Sequence, residues 1–510
     1  MNPIDFFWRA LARYADRPAV TTPERNISFR ELGQAVRSLS VALQAMDPAI
    51  GSRVGIGAAN SDEHLLALLA TLASGKTWVP LNPRSGTPDL RRIVELTEPT
   101  ILFLDVPMAA RIGDMSRNMI AIGGHGTDSI AVLVKRYEGR RSTPSDRPLS
   151  DVQAIKFTGG TTGMPKGVMQ SYRAWNTMIA SQVHAFNFDA SDRFLVSAPL
   201  THGSSTYVLP ILGMGGCLVF PAETRPGPIL DAIERHAVTT LFVPPVMVHM
   251  LIGENATHVR NTASIRNIIY GASPMSEQRI REAQEAFGNV LSTTYGQTEA
   301  PQIISWLRAA ELTEARNVAS VGRPGLLTKV AIAGADGRPT EDLVEGEVLV
   351  RGDLVMNGYW RMPEKTADTI VDGWLHTGDV GMIDERGFLF LKGRMDDVII
   401  TGGFNVHPGD VEAALMRHPA VSECCVVGIA DDKWGEAVTA AVTLRPGVKA
   451  SAEDLIAFAK AEVGSVLAPK AVHLLNVMPK TAVDKIPKAQ VKAEIERRLA
   501  PQGAERSKRQ

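Results

Sequence analysis

The chain has 510 residues, more than one compact core holds and enough for two to four domains at roughly 100–200 residues each. Its 54 Lys and Arg against 55 Asp and Glu leave a net charge of −1, so there is no electrostatic case for a nucleic acid or an anionic membrane partner. With 45% hydrophobic and 21% charged residues it is composed as a globular enzyme. Its three cysteines, Cys217 and the adjacent Cys424 and Cys425, offer neither a disulfide framework nor a metal-ligand spacing, so a reducing cytoplasm is the expected home.

The N-terminal "MNPIDFFWRALARYADRP" places Asp5, Arg9 and Arg13 among its apolar residues, which predicts an amphipathic helix rather than a signal peptide. "RVGIGAAN" reads as a strand, "SDEHLLALLATLASG" as a helix opening at Ser61 and closing at Gly75, and "KTWVPL" as another strand. After the apolar stretch Ala154-Ile155-Lys156-Phe157 comes "FTGGTTGMPKGVMQS", residues 157–171. Gly160 and Gly163 let backbone approach a ligand closely, while Thr158, Thr161, Thr162 and Lys166 are what a chain of phosphate oxygens requires. It is not the ordinary P-loop, because Met164 and Pro165 separate Gly163 from Lys166; a surface hairpin has the same composition, so other residues must decide.

Residues 194–222 carry no formal charge and are long enough to cross a bilayer, but Pro199, His202, Pro210 and the run 213–216 interrupt them, predicting buried core. "ILDAIERHAVTTLFV" and "RNIIYGASPMSEQRIREAQEAFGNVLSTTYG" continue the alternation of strand and helix, with Pro274 suited to a helix start and Gly288 to a helix stop. Such alternation predicts parallel sheets covered by helices. "YGASP" and "TTYGQTEA" then fall at the carboxyl ends of strands, where open α/β sheets bind ligands. There Tyr295 offers a face for a base, Thr298 a hydroxyl and Glu299 a hard oxygen ligand suited to Mg2+.

In "GWLHTGDVG", Asp379 is a candidate acceptor for ribose hydroxyls. "KGRMDDVIITGGFNVHPGDVE" supplies Arg394 and Asp396, then Gly402 and Gly403 in a strand-like run. After Gly393 the pattern changes to a smaller α+β unit of about a hundred residues, with a helix near Pro408, strands at "VSECCVVGI", "AVTAAVTL" and "AVHLLNV", a helix from Ser451 and a last helix after Pro487. Lys485 falls in a loop before that helix, and the polar tail 501–510 is expected to be disordered.

Together these stretches resemble the ANL adenylate-forming enzymes, which include acyl-CoA synthetases, peptide-synthetase adenylation domains and beetle luciferases. The resemblance rests on Gly160 through Gly167, Tyr295 to Glu299 and Gly373 to Asp379, in the family's order along nearly the whole chain. It implies an α/β fold with a large adenylation domain over residues 1–394 and a mobile α+β domain over 395–500 on a hinge at Asp396. It further implies that Thr158, Thr161, Thr162 and Lys166 border the triphosphate and Gly271, Ala272 and Tyr295 border adenine, with Gly160, Gly163, Ser273 and Gly296 also binding the nucleotide. Thr298 would meet the α-phosphate, Glu299 would hold the metal, and Asp379 and Arg394 the ribose. Lys485 matches the lysine that bridges carboxylate and α-phosphate. His202 matches a residue of the acyl pocket, whose walls would include Gly203, Ser204, Tyr207, Tyr270, Gln297 and Ala300. Gly159 and Asp484 depart from the family pattern, in place of a Ser or Thr and of a Gly respectively.

The implied activity is ATP-dependent conversion of a carboxylic acid to acyl-AMP, then transfer to coenzyme A through a channel near Gly402, Gly403 and Trp434, with Mg2+ as cofactor. The junction text looks more like acyl-CoA synthetases than peptide-synthetase domains, and loading of a carrier protein is the alternative. A homodimer is compatible. The acid can be fatty, aromatic or alicyclic; the expected pocket lacks the acidic residue that an amino acid's ammonium would want.

Overall fold

The computed structural model describes residues 1–116, 118–124, 128–143, 147–158, 165–340, 343–481 and 485–499. Among these the strands form four sheets. The largest runs in the order Arg323–Pro324, Ser305–Leu307, Leu291–Tyr295, Asn267–Tyr270, Thr240–Val243, Arg193–Leu195, Cys217–Val219, Pro18–Thr21 and Asn26–Ser28, parallel through its middle and antiparallel at both ends. The second runs Gly358–Tyr359, Lys166–Ser171, Val152–Thr158, Thr77–Pro80, Arg53–Gly57, Ile101–Leu104 and Met119–Ala121. Its strands are parallel from Val152–Thr158 onward. Ile101–Leu104 and Thr240–Val243 are buried at every residue, which is why they read as unbroken apolar runs.

Helix boundaries follow local chemistry. Ser61 caps Asp62–Ala73 by accepting from the His64 N–H, and Gly75 follows at φ +75°. Helix Glu277–Phe287 begins at its cap Ser276 rather than at Pro274, because a side-chain acceptor for an orphan N–H outweighs a preset φ; Gly288 ends it, as expected. Ile4, Phe7 and Ala10 form the buried stripe of the amphipathic helix Ile4–Tyr14. The uncharged stretch at 194–222 is core, with helix Ser205–Gly213 buried along nearly its whole length. Among the described residues no helix is long and apolar enough to cross a membrane.

Two sequence expectations need correction. Alternation of strand and helix does not persist to Gly393: Thr328–Ala333, Pro339–Thr340, Gly346–Gly352, Ile370–Val371, Trp374–Ile383 and Leu389–Arg394 form an antiparallel sheet, since short connections cannot cross over between parallel strands. Gly402 and Gly403 are not inside a strand. They are the two-residue turn between Ile399–Thr401 and Phe404–Val406, at φ +57° and +84°, the conformation a tight hairpin demands.

The smaller C-terminal domain holds the fourth sheet, in the order Phe404–Val406, Ile399–Thr401, Gly435–Leu444 and Val421–Asp431, with Ala471–Leu474 against Gly435–Leu444. Helices Pro408–Leu415 and Ala452–Leu467 pack on one side around Val411, Val426, Val442 and Leu455, and Lys488–Leu499 on the other around Val427, Val491 and Ile495. The tail 501–510, together with Gly159, Gly160, Thr161, Thr162, Gly163 and Asp484, lies outside the described residues.

Candidate active site

Strands Val152–Thr158 and Lys166–Ser171 pair antiparallel with Thr158 opposite Lys166, near one edge of the second sheet. The next strand at that edge, Gly358–Tyr359, pairs with Met169 and Val168. Its Tyr359 ring lies 5.7 Å from Lys166 Nζ, and its hydroxyl donates to Glu299 Oε1 at 2.8 Å. Burial, and then the Glu299 carboxylate, push the Tyr359 phenol well up, so it stays a donor at neutral pH. The backbone of the same loop is tied down as well: Gln170 Nε2 donates to Thr298 O at 2.8 Å, and Met356 N–H donates to Glu299 O at 2.8 Å.

The antiparallel sheet contributes the next group. Asp379 and Arg394 are cross-strand partners, and Arg394 donates to Asp379 Oδ1 at 3.1 Å and to Thr377 O at 2.9 Å. The other Asp379 oxygen accepts from Tyr295 Oη and Gln297 Nε2, each at 2.6 Å. Tyr295 ends a strand of the first sheet, so this carboxylate joins two sheets. Gly378 has φ +69°, a conformation that favours glycine, and a Cβ there would lie 2.9 Å from the Arg394 guanidinium, so glycine leaves room for the arginine at the carboxylate. Ala272, after strand Asn267–Tyr270, holds φ +71°, a strained conformation for a residue with a Cβ, in the turn expected to border adenine.

His202 lies in the turn leading into helix Ser205–Gly213. Its ring Nδ1 is 3.1 Å from Thr201 O. Burial lowers its pKa to about 4, helped by Lys156 and Lys485, so it is a neutral imidazole at pH 7. A Cβ at Gly203 would strike the Phe242 ring at 2.6 Å. Tyr207 is fully buried, stacked on Phe194 at 5.0 Å and Phe242 at 5.3 Å, with its hydroxyl accepting from Gln302 Nε2 at 2.9 Å. Ser204 and Ala300 are buried in the same region of core, whereas Tyr270 packs in a second cluster among Val248, Leu251 and Ile280.

Lys485 comes from the C-terminal domain, where its N–H donates to Thr481 Oγ1 at 3.1 Å. The residue is exposed, yet neighbouring protein desolvates its ammonium enough to lower its pKa; Asp379 and Glu299 oppose that and Arg394 adds to it, for a net lowering. The fold thus gathers Lys485 with Glu299, Asp379, Arg394 and His202, residues scattered over 284 positions of chain. Asp396 lies in the 3-10 turn Met395–Asp397 directly after Arg394. Gly402, Gly403 and Trp434 are grouped elsewhere: Gly402 N–H donates to Trp434 O at 2.8 Å, and the Trp434 ring, 36% exposed as a residue, is flanked by Lys433 and Lys470 at 4.8 and 5.4 Å.

Several contributors were not legible. Tyr359 sits on a two-residue strand without periodicity. Gln170, Thr377 and Gln302 act through hydrogen bonds between segments distant in sequence. The sequence signal for Lys156 is a charge inside the apolar run 154–157, and the structure shows that it is buried.

The donor set suits a divalent cation carried mainly by phosphates. Glu299 has one carboxylate oxygen engaged by Tyr359, and among the described residues no three His, Cys, Asp or Glu side chains gather as a self-sufficient metal cage. A large α/β domain that groups Glu299, Asp379 and Arg394, with Lys485 of a small C-terminal domain in their field, is the arrangement of a ligase. Residues 7–360 match the AMP-binding enzyme family and residues 410–485 the AMP-binding enzyme C-terminal domain, so the chain belongs to the AMP-binding enzymes, within the ANL superfamily. It is 32% identical over 505 residues to the medium/long-chain-fatty-acid–CoA ligase FadD8 of Mycobacterium tuberculosis, over 95% of this chain and 88% of the relative. It is 31% identical over 493 residues to the indoleacetate–CoA ligase of Aromatoleum aromaticum, over 94% of this chain and 96% of the relative. ATP-bound MatB from Rhodopseudomonas palustris has the same fold, with a TM-score of 0.88 at 27% identity over 97% of this chain and 99% of that one. The protein is an AMP-forming ligase of the acyl-CoA synthetase branch.

Proposed function

We propose that this enzyme activates an apolar-bodied carboxylic acid with ATP and passes the acyl group to coenzyme A. In the first step a carboxylate oxygen attacks the α-phosphorus, the bond to the β-phosphate oxygen breaks, and acyl-AMP and pyrophosphate form. In the second, a thiol sulfur attacks the acyl carbon and AMP leaves. The observation that carries the reading is Lys485 in the field of Glu299, Asp379 and Arg394, beside the neutral His202. Two anions must be brought together, and a cation delivered between them offsets their repulsion and stabilises charge that develops in the transition state.

Asp379 and Arg394 would hold the ribose, Lys166 the phosphates, and Glu299 Mg2+, which when bound supplies neutralisation of phosphate charge. The stacked rings of Tyr207, Phe194 and Phe242 favour an apolar acid, as do the fatty-acid and indoleacetate ligases among the relatives. Three free, buried cysteines suit a reducing cytoplasm. With Lys485 in the field of Asp379 and Glu299, this arrangement would serve the first step; rotation about Asp396 would withdraw the lysine and bring the Gly402-Gly403 hairpin and Trp434 to the site for the second. Mixing the protein with ATP, Mg2+, CoA and a panel of fatty, aromatic and alicyclic acids should release AMP and form thioester. Release of AMP with thioester formed only on a carrier protein would replace CoA as acceptor; no AMP with any acid would refute the reading.

A further inference from the structure

Strand Val152–Thr158 carries one charge where its neighbours are apolar. Lys156 is 6% exposed, and among the described residues no carboxylate pairs with it. Its Nζ donates to Ser205 Oγ at 3.1 Å and lies 4.9 Å from the ring of Trp78 and 5.6 Å from that of Trp175. An ammonium has three donors; burying it with one hydrogen bond is costly, and two indole faces offset only part of that cost.

Both sets of contacts lead to the reacting end of the site. Ser205 Oγ donates onward to His202 O at 2.7 Å. Trp175 Nε1 donates to Gln170 Oε1 at 3.1 Å, and Gln170 Nε2 to Thr298 O at 2.8 Å. Lys156 therefore underlies the turn carrying His202 and, through Trp175, the loop carrying Thr298 and Glu299. Burial brings its ammonium down to about 7. The groups facing it are Trp78, Trp175 and Ser205, which do not titrate near neutrality, and His202, which is neutral and also feels Lys485. A buried cation without a counter-anion stands beneath a site whose substrates are a carboxylate and a polyphosphate.

We propose that Lys156 is a positioning residue for adenylation: it ties the His202 turn to the Thr298 loop and supplies buried positive charge that the two substrate anions complete. This rests on the adenylation reading above.

Lys156→Met keeps an unbranched side chain, one atom shorter, and removes the charge. With an acid that the wild-type protein turns over, kcat/KM for acyl-AMP formation falls by about 10- to 100-fold in the variant. Wild-type kcat/KM, which reports the free enzyme, declines as pH rises through about 7, and this limb is missing from Lys156→Met. The variant melts higher than wild type, and by a wider margin near about pH 6 than near about pH 9. Between about 7 and the ordinary lysine range the unfolded chain binds a proton that the folded chain lacks, so wild-type stability rises with pH there. Ser205→Ala, which cuts the link to His202 and leaves the charge, lowers the rate by about 3- to 10-fold and keeps the limb. Unchanged adenylation in either variant overturns the proposal, as does a loss in Lys156→Met confined to acids with a second polar group, which would make Lys156 a reader of the acid's tail. A lower melting temperature with the limb intact would make it a structural lysine. If the wild type releases no AMP with any acid, the parent reading fails, while the melting comparison still stands.

Discussion

Lys485 joins the site from the other domain, and its role is separable from the rest of the chemistry. Lys485→Ala should slow acyl-AMP formation on the order of 10²- to 10³-fold, about 3–4 kcal/mol, the scale of one preorganised electrostatic contact. Single-turnover assays should show thioester formation from supplied acyl-AMP far less affected; equal loss in both steps would refute the assignment. The pH dependence has a definite sign. Lys485 acts as a cation, and its folded pKa is lowered, chiefly by desolvation. Adenylation kcat/KM of the free enzyme should therefore fall on the alkaline side before the ordinary lysine range is reached, while the thioester step should lack this limb. Glu299 tests the metal. Glu299→Gln keeps the shape but weakens a hard-cation ligand, so the Mg2+ concentration for half-maximal adenylation should rise several-fold. Tyr359→Phe, which removes the 2.8 Å donor to Glu299, should move the same titration by a smaller amount. A Mg2+ titration unmoved in Glu299→Gln would return that carboxylate to a structural role.

At the scale of elements, the site depends on loops that approach one another without intervening side chains. Gly296 is the sharpest case: a Cβ there would lie 2.5 Å from the Gln302 carbonyl carbon, and backbone cannot turn aside as a side chain can. Gln302 itself holds φ +65° while bridging Thr206 and Tyr207. Gly296→Ala should destabilise by about 1–3 kcal/mol and raise KM for the acid. A melting temperature and KM at wild-type values would show that the loop relaxes freely. Most elements around this loop were legible: the strands that end at Tyr270 and Tyr295, the helix from Ser61 and the stop at Gly288 all follow from runs of apolar residues and their caps. The Gly402-Gly403 turn reads as part of a strand-like run in the sequence because apolar residues flank it on both sides, and the two positive φ angles that break the run are invisible to periodicity.

For the whole molecule the question is whether the C-terminal domain moves. In the orientation described, His407 Nε2 meets Glu345 at 2.9 Å and Lys392 Nζ meets Asp410 at 3.7 Å, ties between the two domains that a rotation would break. Asp396 sits between Arg394, on the antiparallel sheet, and the first strand of the small domain, so its torsions are where a rotation would be absorbed. Asp396→Pro fixes φ near −65° and restricts the residue before it without removing a group that touches substrate. It should keep acyl-AMP formation and lose thioester formation, whereas Asp396→Ala should do much less harm to either. Single-turnover assays of each step on protein shown folded by its melting curve decide this; equal slowing of both steps by proline would refute the two-orientation mechanism.

The sequence by itself determined the α/β class, the positions of most helices and strands, and the segments bearing Lys166, Glu299, Asp379 and Lys485, because hydrophobic period, caps and short motifs are properties of neighbouring residues. Only the tertiary structure decided that Tyr359 holds Glu299, that Asp379 is shared by Tyr295, Gln297 and Arg394, and that Lys156 lies buried and linked through Ser205 to the His202 turn. Each of these joins segments tens to hundreds of residues apart, and the pairing of a buried polar group is set by which segments the sheets and domains bring together, a quantity no local pattern contains.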